Sequence, residues 1–270
     1  MRKIISNLIL IIVLVLTISH CANRGRPSGG IKDIVPPEIT KSEPKNQSIN
    51  FQDDEIKIQF DEYIKMKNLQ RQLIISPPMD PMPEITPLSN ASKFIKIKIN
   101  DTLSPNTTYT FNFGNSIVDN NEENPFPYFK YVFSTGDYID SLSVSGQITD
   151  AKLRQPEDYI SVMLYESDTT YTDSIVYKEQ PKFVTNTLDS LTTFSIDNIK
   201  AGTYRLVALK DENANFTYQP KTDKIGYYEG EITVPTDTIY NITLFKIISV
   251  HGTHITQHEF LKFKEQVIDN

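Results

Sequence analysis

The chain contains one cysteine, Cys21, whose thiol is the side chain best placed for covalent chemistry. It follows a positively charged start at Arg2 and Lys3 and an apolar run over residues 4–18. This order, with small residues before a cleavage point, is typical of a secretory signal peptide. A membrane-spanning helix needs about 20 apolar residues, so the run is short for a span. The sequence therefore predicts an exported chain whose leader ends beside Cys21.

The residues around this cysteine resemble the leader of bacterial lipoproteins. Ile18 and Ser19 fit the pattern of that family, whereas His20 stands where the family prefers a small residue. The resemblance implies a signal peptide over residues 1–20, a diacylglycerol on the Cys21 thiol and an acyl chain on its amine. Each buried methylene of such chains contributes about 0.8 kcal/mol to membrane binding. The alternative is an uncleaved or ordinarily cleaved leader in which the cysteine is incidental.

Residues 21–33 are predicted to form a flexible tether, because Gly, Ser and Arg are frequent between residues 23 and 30. The segment 21–30 resembles the tether of Bacteroidota envelope lipoproteins with Ig-like domains. Surface-displayed lipoproteins of those bacteria tend to carry acidic residues soon after the cysteine, whereas this chain has Arg24 and Arg26. The resemblance therefore implies attachment at the outer membrane, on its periplasmic face.

Asp211, Asn213 and Asn215 stand at alternate positions, as at the start of a calcium-binding loop. Such a loop needs glycine and glutamate where this chain has Phe216 and Thr222. The broken motif favours a polar loop with Asx turns over a calcium site.

A second metal hypothesis concerns three histidines and one glutamate near the end of the chain: His251, His254, His258 and Glu259. Imidazole groups are common metal ligands. However, Thr256 and Glu259 have the spacing of a helix capping box. A short apolar stripe follows at Phe260, Phe263 and Val267. The sequence therefore predicts a short helix or tail over residues 248–270, with no metal ion and no cofactor.

An Asp-Ser or Asp-Thr pair recurs along the chain and resembles the O-glycosylation acceptor motif of Bacteroidota envelope proteins. The resemblance implies glycans on some of these hydroxyls: Thr102, Ser141, Thr169, Ser174, Ser190 and Thr238. The alternative is structural, because Asp followed by Ser or Thr also marks a turn that leads into a strand.

Charge and motif content exclude several functions. The net charge is −7, and removal of residues 1–20, with Arg2 and Lys3 but no acid, makes it −9. Nucleic-acid binding needs basic surface to neutralise phosphates, so it is excluded. The chain has no nucleophile elbow, P-loop or dinucleotide fingerprint. The sequence therefore predicts a protein that is not an enzyme.

Short apolar runs separated by turn residues predict a β-sandwich over residues 34–136. The clearest alternation of apolar and polar residues lies at 56–60 and 95–99, with further runs at 73–76, 109–113 and 131–135. The proline-rich stretch 77–87 is predicted to be a stiff loop or an edge-strand protector.

Five segments resemble a bacterial Ig-like domain of the S-layer-associated type: 36–39, 58–63, 103–111, 118–121 and 131–135. The resemblance implies that Tyr109 lies in the core of the domain. It also implies a spacer or binding module without catalytic residues.

Further runs at 142–151, 160–165, 194–196, 204–209, 232–234 and 239–245 predict a second sandwich over residues 137–247. Two of its segments, 144–151 and 194–211, resemble a transthyretin-like or carboxypeptidase-regulatory-like β-sandwich. That module is not catalytic.

Together these patterns predict an all-β fold of two tandem sandwiches, Ig-like and then transthyretin-like, behind a lipoprotein signal peptide. The predicted function is a non-catalytic, lipid-anchored structural spacer or protein-binding module of the cell envelope. The predicted partners are a membrane, through the lipid, and another envelope protein or glycan. The alternative is a glycan-binding accessory lipoprotein whose exposed aromatic rings stack on sugars: Phe126, Tyr128, Tyr227 and Tyr228.

Overall fold

The computed structural model describes residues 32–169, 171–187 and 191–246. From Val35 onward these residues form one compact unit that is built almost entirely from β-strands. Within the described ranges, no helix is both long enough and apolar enough to cross a membrane.

The first part of the unit has eight strands and one short helix. The strands are Ile39–Glu43 (β1), Glu55–Met66 (β2), Ile74–Ser76 (β3), Glu84–Thr86 (β4), Ser92–Lys98 (β5), Thr108–Asn112 (β6), Ile117–Asp119 (β7) and Lys130–Ser134 (β8). Leu69–Gln72 forms the helix, α1. One sheet has the order β1-β2-β5-β4, with β7 also paired to β2, and the other has the order β3-β6-β8.

These two sheets pack face to face because each has one apolar side. On β2, Ile56 and Ile58 are fully buried, whereas Lys57 between them points outward. The facing sheet contributes aromatic rings, including Phe111 and the completely buried Phe133. Tyr109 is 4% exposed and stacks on Phe133, as the Ig-like resemblance implies. Burial of each such side chain contributes about 1.5–3 kcal/mol.

The proline-rich stretch 77–87 is not only a loop, because it contains strand β4. Ile85 of β4 is opposite Ile97 of β5 and is buried in the first core. This three-residue strand forms one edge of its sheet. A short edge strand surrounded by prolines leaves few free backbone groups for another chain to pair with.

Within its described residues, the second part has eight more strands and a 3₁₀ helix. The strands are Leu142–Asp150 (β9), Ser161–Glu166 (β10), Phe183–Asn186 (β11), Thr193–Ile199 (β12), Gly202–Lys210 (β13), Lys224–Tyr227 (β14), Ile232–Val234 (β15) and Ile239–Leu244 (β16). The 3₁₀ helix is Asp173–Tyr177. One sheet has the order β11-β10-β13-β14, with β15 on β13, and the other has the order β12-β9-β16.

The central strand β10 is buried on both faces. Val162 and Leu164 point into the second core, between the two sheets. Met163 and Tyr165 belong to another apolar cluster on the outer side of the same sheet, which we call the outer cluster. The 3₁₀ helix contributes Val176 to this cluster. A continuous apolar strand is the pattern expected when both faces of a sheet are covered.

The all-β prediction is confirmed, because the unit consists of facing sheets around hydrophobic cores. The division into residues 34–136 and 137–247 stays a prediction, since both parts belong to one compact unit. The transthyretin-like character of the second part also stays a prediction. The predicted helix within 248–270 lies outside the described residues.

Candidate functional site: the joint between the two cores

Strand β3 joins the two parts of the unit through neighbouring side chains that point in opposite directions. Ile75 is buried in the first core, between the two sheets of the Ig-like part. Ile74 is 7% exposed and packs in the outer cluster beside Val184 of β11 and Met163 of β10. Successive residues of a strand face opposite sides of the sheet, so one short strand serves both cores. We call this contact region the joint.

Hydrogen bonds surround the apolar contact at Ile74. The buried backbone N–H of Val184 donates to Oγ of Ser76 at 3.0 Å, which satisfies a donor on the edge strand β11. Nε2 of Gln72 donates to the hydroxyl of Tyr159 at 3.2 Å. A buried backbone donor without a partner costs about 1–3 kcal/mol, so the Ser76 hydroxyl stabilises this arrangement.

The segment between β8 and β9 is fixed from both sides through Asp140. Its carboxylate Oδ2 accepts from Oγ1 of Thr108 at 2.9 Å, and its own N–H donates to the same hydroxyl at 2.9 Å. The carbonyl of Asp140 accepts from Nδ2 of Asn198, in the second part, at 2.8 Å. The segment between β8 and β9 is therefore hydrogen-bonded to both parts of the unit.

A bulge on β12 places Asn198 at the joint. The pairing of β12 with β9 shifts between Ile196 and Ile199, and Asn198 has a φ of 59°. Asparagine tolerates this left-handed conformation better than most residues, and bulges commonly re-aim a side chain. Oδ1 of Asn198 consequently accepts from Oγ1 of Thr110 at 3.2 Å.

One ion pair also crosses the joint. Nζ of Lys130, on β8, lies 2.5 Å from Oδ2 of Asp197, and Oγ of Ser195 donates to the other carboxylate oxygen. Burial alone would raise the pKa of Asp197, but the hydrogen bonds from Lys130 and Ser195 outweigh it and hold the pKa below its usual value. Polar side chains of both parts line a cavity of about 20 Å³ here: Ser76, Thr110, Asn112, Thr185, Ser195 and Asp197.

The Asp197→Asn variant should change how stability depends on acid pH. A carboxyl whose pKa is lowered by folding stabilises the protein above its unfolded pKa of about 3.9. That contribution is lost as the pH falls through the lower folded value. Because Lys130 and Asp197 are 36% and 34% exposed, solvent screening limits the effect to below about 1 kcal/mol.

Urea unfolding at pH 7, 4 and 2.5 measures this contribution. The stability difference between the wild-type chain and Asp197→Asn should shrink as the pH falls. Asp237, which is exposed, provides the control variant Asp237→Asn. A difference that stays constant from pH 7 to 2.5 would contradict the role of the ion pair.

The groups of the joint hold the two parts of the unit in place. They are an apolar anchor, hydroxyls, amides and one ion pair, and their hydrogen bonds connect the two parts of the unit. Such an arrangement fixes the orientation of one sandwich against the other. Among the described residues, no group of three or more His, Cys, Asp or Glu side chains is placed to hold a metal ion.

Several residues singled out in the sequence lie outside the described ranges: Cys21, Ser190, His251, His254, His258 and Glu259. Lipidation of Cys21 therefore stays a prediction.

The other predicted glycan acceptors are all exposed: Thr102, Ser141, Thr169, Ser174 and Thr238. Oγ of Ser174 shares a hydrogen bond with Oγ1 of Thr172 at 3.0 Å. Exposure is compatible with glycosylation, which also stays a prediction.

The loop after β13 is organised by Asx turns. Oδ1 and Oδ2 of Asp211 accept from the N–H groups of Asn213 and Phe216 at 3.1 and 2.7 Å. Oδ1 of Asn215 accepts from the N–H of Thr217 at 3.0 Å. The carboxylate of Asp223, which is fully buried, accepts from the N–H of Gln219 at 2.8 Å. These contacts match the structural alternative to the calcium hypothesis.

Of the four aromatic rings proposed to stack on sugars, three are only partly exposed, and the glycan-binding alternative stays a prediction. Phe126 packs edge-on against Phe60 of the first core. Tyr227 belongs to the outer cluster, and burial raises its pKa to about 12. Tyr228 packs against the second core. Tyr128 is 53% exposed.

The sequence interpretation did not find the joint, although one signal was present. The pair Ile74-Ile75 breaks the alternation expected of a strand with one solvated face, and it therefore indicates cover on both sides. The roles of Ser76, Asp140 and Asn198 had no comparable signal, because polar residues at strand ends also occur in solvent.

Comparison with known proteins supports the first part of this description. Residues 33–135 match the family of bacterial Ig-like domains, Big_5. No curated protein matches the chain.

Two solved structures show weak similarity. An L,D-transpeptidase from Mycobacterium smegmatis is 11% identical, with a TM-score of 0.24 over 64% of this chain and 76% of that chain. BcpA, the major pilin subunit of Bacillus cereus, is 10% identical, with a TM-score of 0.24 over 78% of this chain and 71% of that chain. The two structural likenesses are too low to support an argument about fold or function. The family match and the facing sheets together identify residues 33–135 as a bacterial Ig-like domain.

Proposed function

We propose that the protein is a non-catalytic, lipid-anchored component of the cell envelope. Its two sandwiches act as a spacer and protein-binding module at the periplasmic face of the outer membrane. The Ig-like domain supports the general role, since such domains are structural or binding modules. The leader, Cys21 and the two arginines of the tether support the anchor and its location.

The observation that carries the spacer role is the double use of strand β3. Domains that follow each other in a chain normally move relative to one another unless their interface is large and apolar. Here Ile74 inserts into the outer cluster, and Asp140 bonds to both parts. A spacer with such a joint holds a binding surface in a defined orientation, instead of letting it swing.

The experiment concerns the anchor, on which the location depends. Cells that express the full chain are labelled with radioactive palmitate and separated into membrane and soluble fractions. The wild-type chain should carry the label and sediment with the membranes. Cys21→Ser should lose the label and move to the soluble fraction, because the chain has no other cysteine that could carry a thioether-linked lipid.

A matched control separates the thiol from the rest of the leader. Ser19→Ala keeps a small residue before the cleavage point and leaves Cys21 in place. It should be labelled and sediment like the wild type. If the wild-type chain takes up no palmitate, or if Cys21→Ser remains in the membrane fraction to the same extent, the anchor is refuted.

A further inference from the structure

The outer face of sheet β1-β2-β5-β4 carries exposed aromatic rings that the core does not use. Tyr63 of β2 is 56% exposed, and Phe94 of β5 is 39% exposed. The inner side of the same sheet faces the first core. The joint involves the other sheet of the Ig-like domain, so this face is separate from it.

A bulge on β2 displays one of these rings. The pairing of β2 with β5 shifts between Gln59 and Ile64, and Tyr63 lies in the extra segment. Regular alternation resumes at Ile64, which is fully buried. Bulges often re-aim side chains at functional positions. The bulge brings Tyr63 to the neighbourhood of Lys93, on the adjacent strand.

Each ring has a lysine above it. Nζ of Lys57 lies 4.6 Å from the centroid of Phe94, and Nζ of Lys93 lies 5.5 Å from the centroid of Tyr63. These distances are within the range of cation–π interactions. Nζ of Lys93 also donates to the carbonyl of Asp61 at 2.9 Å. We call Lys57, Phe94, Lys93 and Tyr63 the lysine–aromatic face.

The two lysines differ from their neighbours in charge pairing. Lys41 and Lys96 form ion pairs with Glu43 and Glu55 on the same sheet, and Lys65 pairs with Glu123. Within the described part of the chain, Lys57 and Lys93 form no ion pair. This is unexpected on a chain with a net charge of −7, where acidic side chains are plentiful. Glu43 lies opposite Lys57 on β1, and its pKa is lowered mainly by Lys41 and to a smaller extent by Lys57. The charge of Lys57 is therefore only partly compensated, and both lysines are available to an anionic ligand.

We propose that the lysine–aromatic face binds an anionic polysaccharide. Exposed rings on a sheet face offer stacking surfaces for the apolar sides of sugar rings, and the lysines beside them attract carboxylate or phosphate groups. Phe94 is opposite Gln59, and Tyr63 lies four residues further along β2, which at about 3.3 Å per residue is about 13 Å. The two rings can therefore contact separate sugars of one polymer. A protein partner is less suited to these two exposed rings, because protein hot spots are aromatic anchors in well-packed pockets.

Affinity electrophoresis of the full chain in non-ionic detergent tests the proposal. The probe is polygalacturonate, in which each sugar ring carries a carboxylate, and the uncharged comparison is dextran. The wild-type chain should be retarded by polygalacturonate and not by dextran, and added salt should weaken the retardation. The double variants Lys57→Gln/Lys93→Gln and Tyr63→Ser/Phe94→Ser should each bind at least about tenfold more weakly, which corresponds to about 1.4 kcal/mol.

A double control variant matches the changes in residue type. Tyr138 is 54% exposed and Lys178 is exposed, and both belong to the second part of the unit. Tyr138→Ser/Lys178→Gln should bind polygalacturonate like the wild type. Thermal unfolding of every variant shows whether the fold is retained.

Polyglutamate, a polyanion without sugar rings, tests whether charge alone explains the binding. It should bind much more weakly than polygalacturonate, because it has no sugar rings to stack. The proposal is overturned if polyglutamate binds equally well, if dextran binds like polygalacturonate, if polygalacturonate does not bind, or if the control variant loses as much affinity. Palmitate labelling does not depend on any of these results, so failure here is distinguishable from failure of the lipid anchor.

Discussion

A chain with aspartate in place of Ile74 should unfold at lower temperature and in two steps. Deleting a buried isoleucine side chain costs about 2–5 kcal/mol. The new carboxylate also adds a desolvation cost, because it replaces an apolar side chain among the apolar residues of the outer cluster; Lys130, which lines the same small cavity as Ile74, offsets part of that cost. For a chain of this size the melting temperature should fall by about 10 °C. Because Ile74 connects the two cores, its loss should also separate their unfolding transitions.

Differential scanning calorimetry measures both effects. Ile49, which is 47% exposed, provides the matched control Ile49→Asp, which should leave the transition nearly unchanged. The milder variant Ile74→Ala should show a smaller shift in the same direction. Hydrogen exchange then identifies the core that opens first. A single transition at the wild-type temperature in Ile74→Asp would mean that the joint does not couple the cores.

Gly146→Val should prevent the second core from forming. A Cβ at Gly146, on β9, would lie 2.1 Å from the carbonyl oxygen of Tyr240 and 2.6 Å from the ring of Phe194. The first of these atoms belongs to the backbone of β16, so the strand itself would have to move. Overpacking of a core costs about 1–3 kcal/mol or more. A backbone clash in the middle of a sheet should exceed that range.

The neighbouring Ser145 provides a control in the same strand. Ser145 is exposed, and valine is favoured in strands, so Ser145→Val should fold normally. Limited proteolysis followed by mass measurement should show cleavage of Gly146→Val within residues 142–246, while the Ig-like domain stays intact. Protection of the second part equal to that of the wild type would refute the packing argument.

Alternation predicted the long strands of the fold well. The runs at 56–60 and 95–99 became parts of β2 and β5, and the run at 232–234 became β15. β1, β4, β7, β11 and β14 were not identified, because strands of three to five residues are too short to show a regular alternation. Their strand conformation depends on pairing with longer strands of the same sheets. Tertiary pairing can determine structure where local pattern is weak.

The joint could not be derived from residue types alone. Thr108, Thr110 and Asn112 alternate with the core aromatics of β6, as polar residues facing solvent would. In the structure all three are buried, because the second part covers this face. The sequence alone does not show whether the hydroxyl of Thr108 bonds to water or to Asp140. Alternation places Tyr63 and Phe94 on the outward side of β2 and β5, but residue types alone do not show that a lysine lies above each ring.

The parallel pairing of β16 with β9 affects the order in which the chain can fold during synthesis. Thr243 is opposite Thr149, so β16, the last strand among the described residues, completes the sheet that β9 begins. The Ig-like domain has its last strand at Ser134 and can close while translation continues. The second sandwich must wait for residue 244, because non-local pairing requires both strands to be present. The Ig-like domain, including Ile74, is then already folded when the second sandwich folds against it.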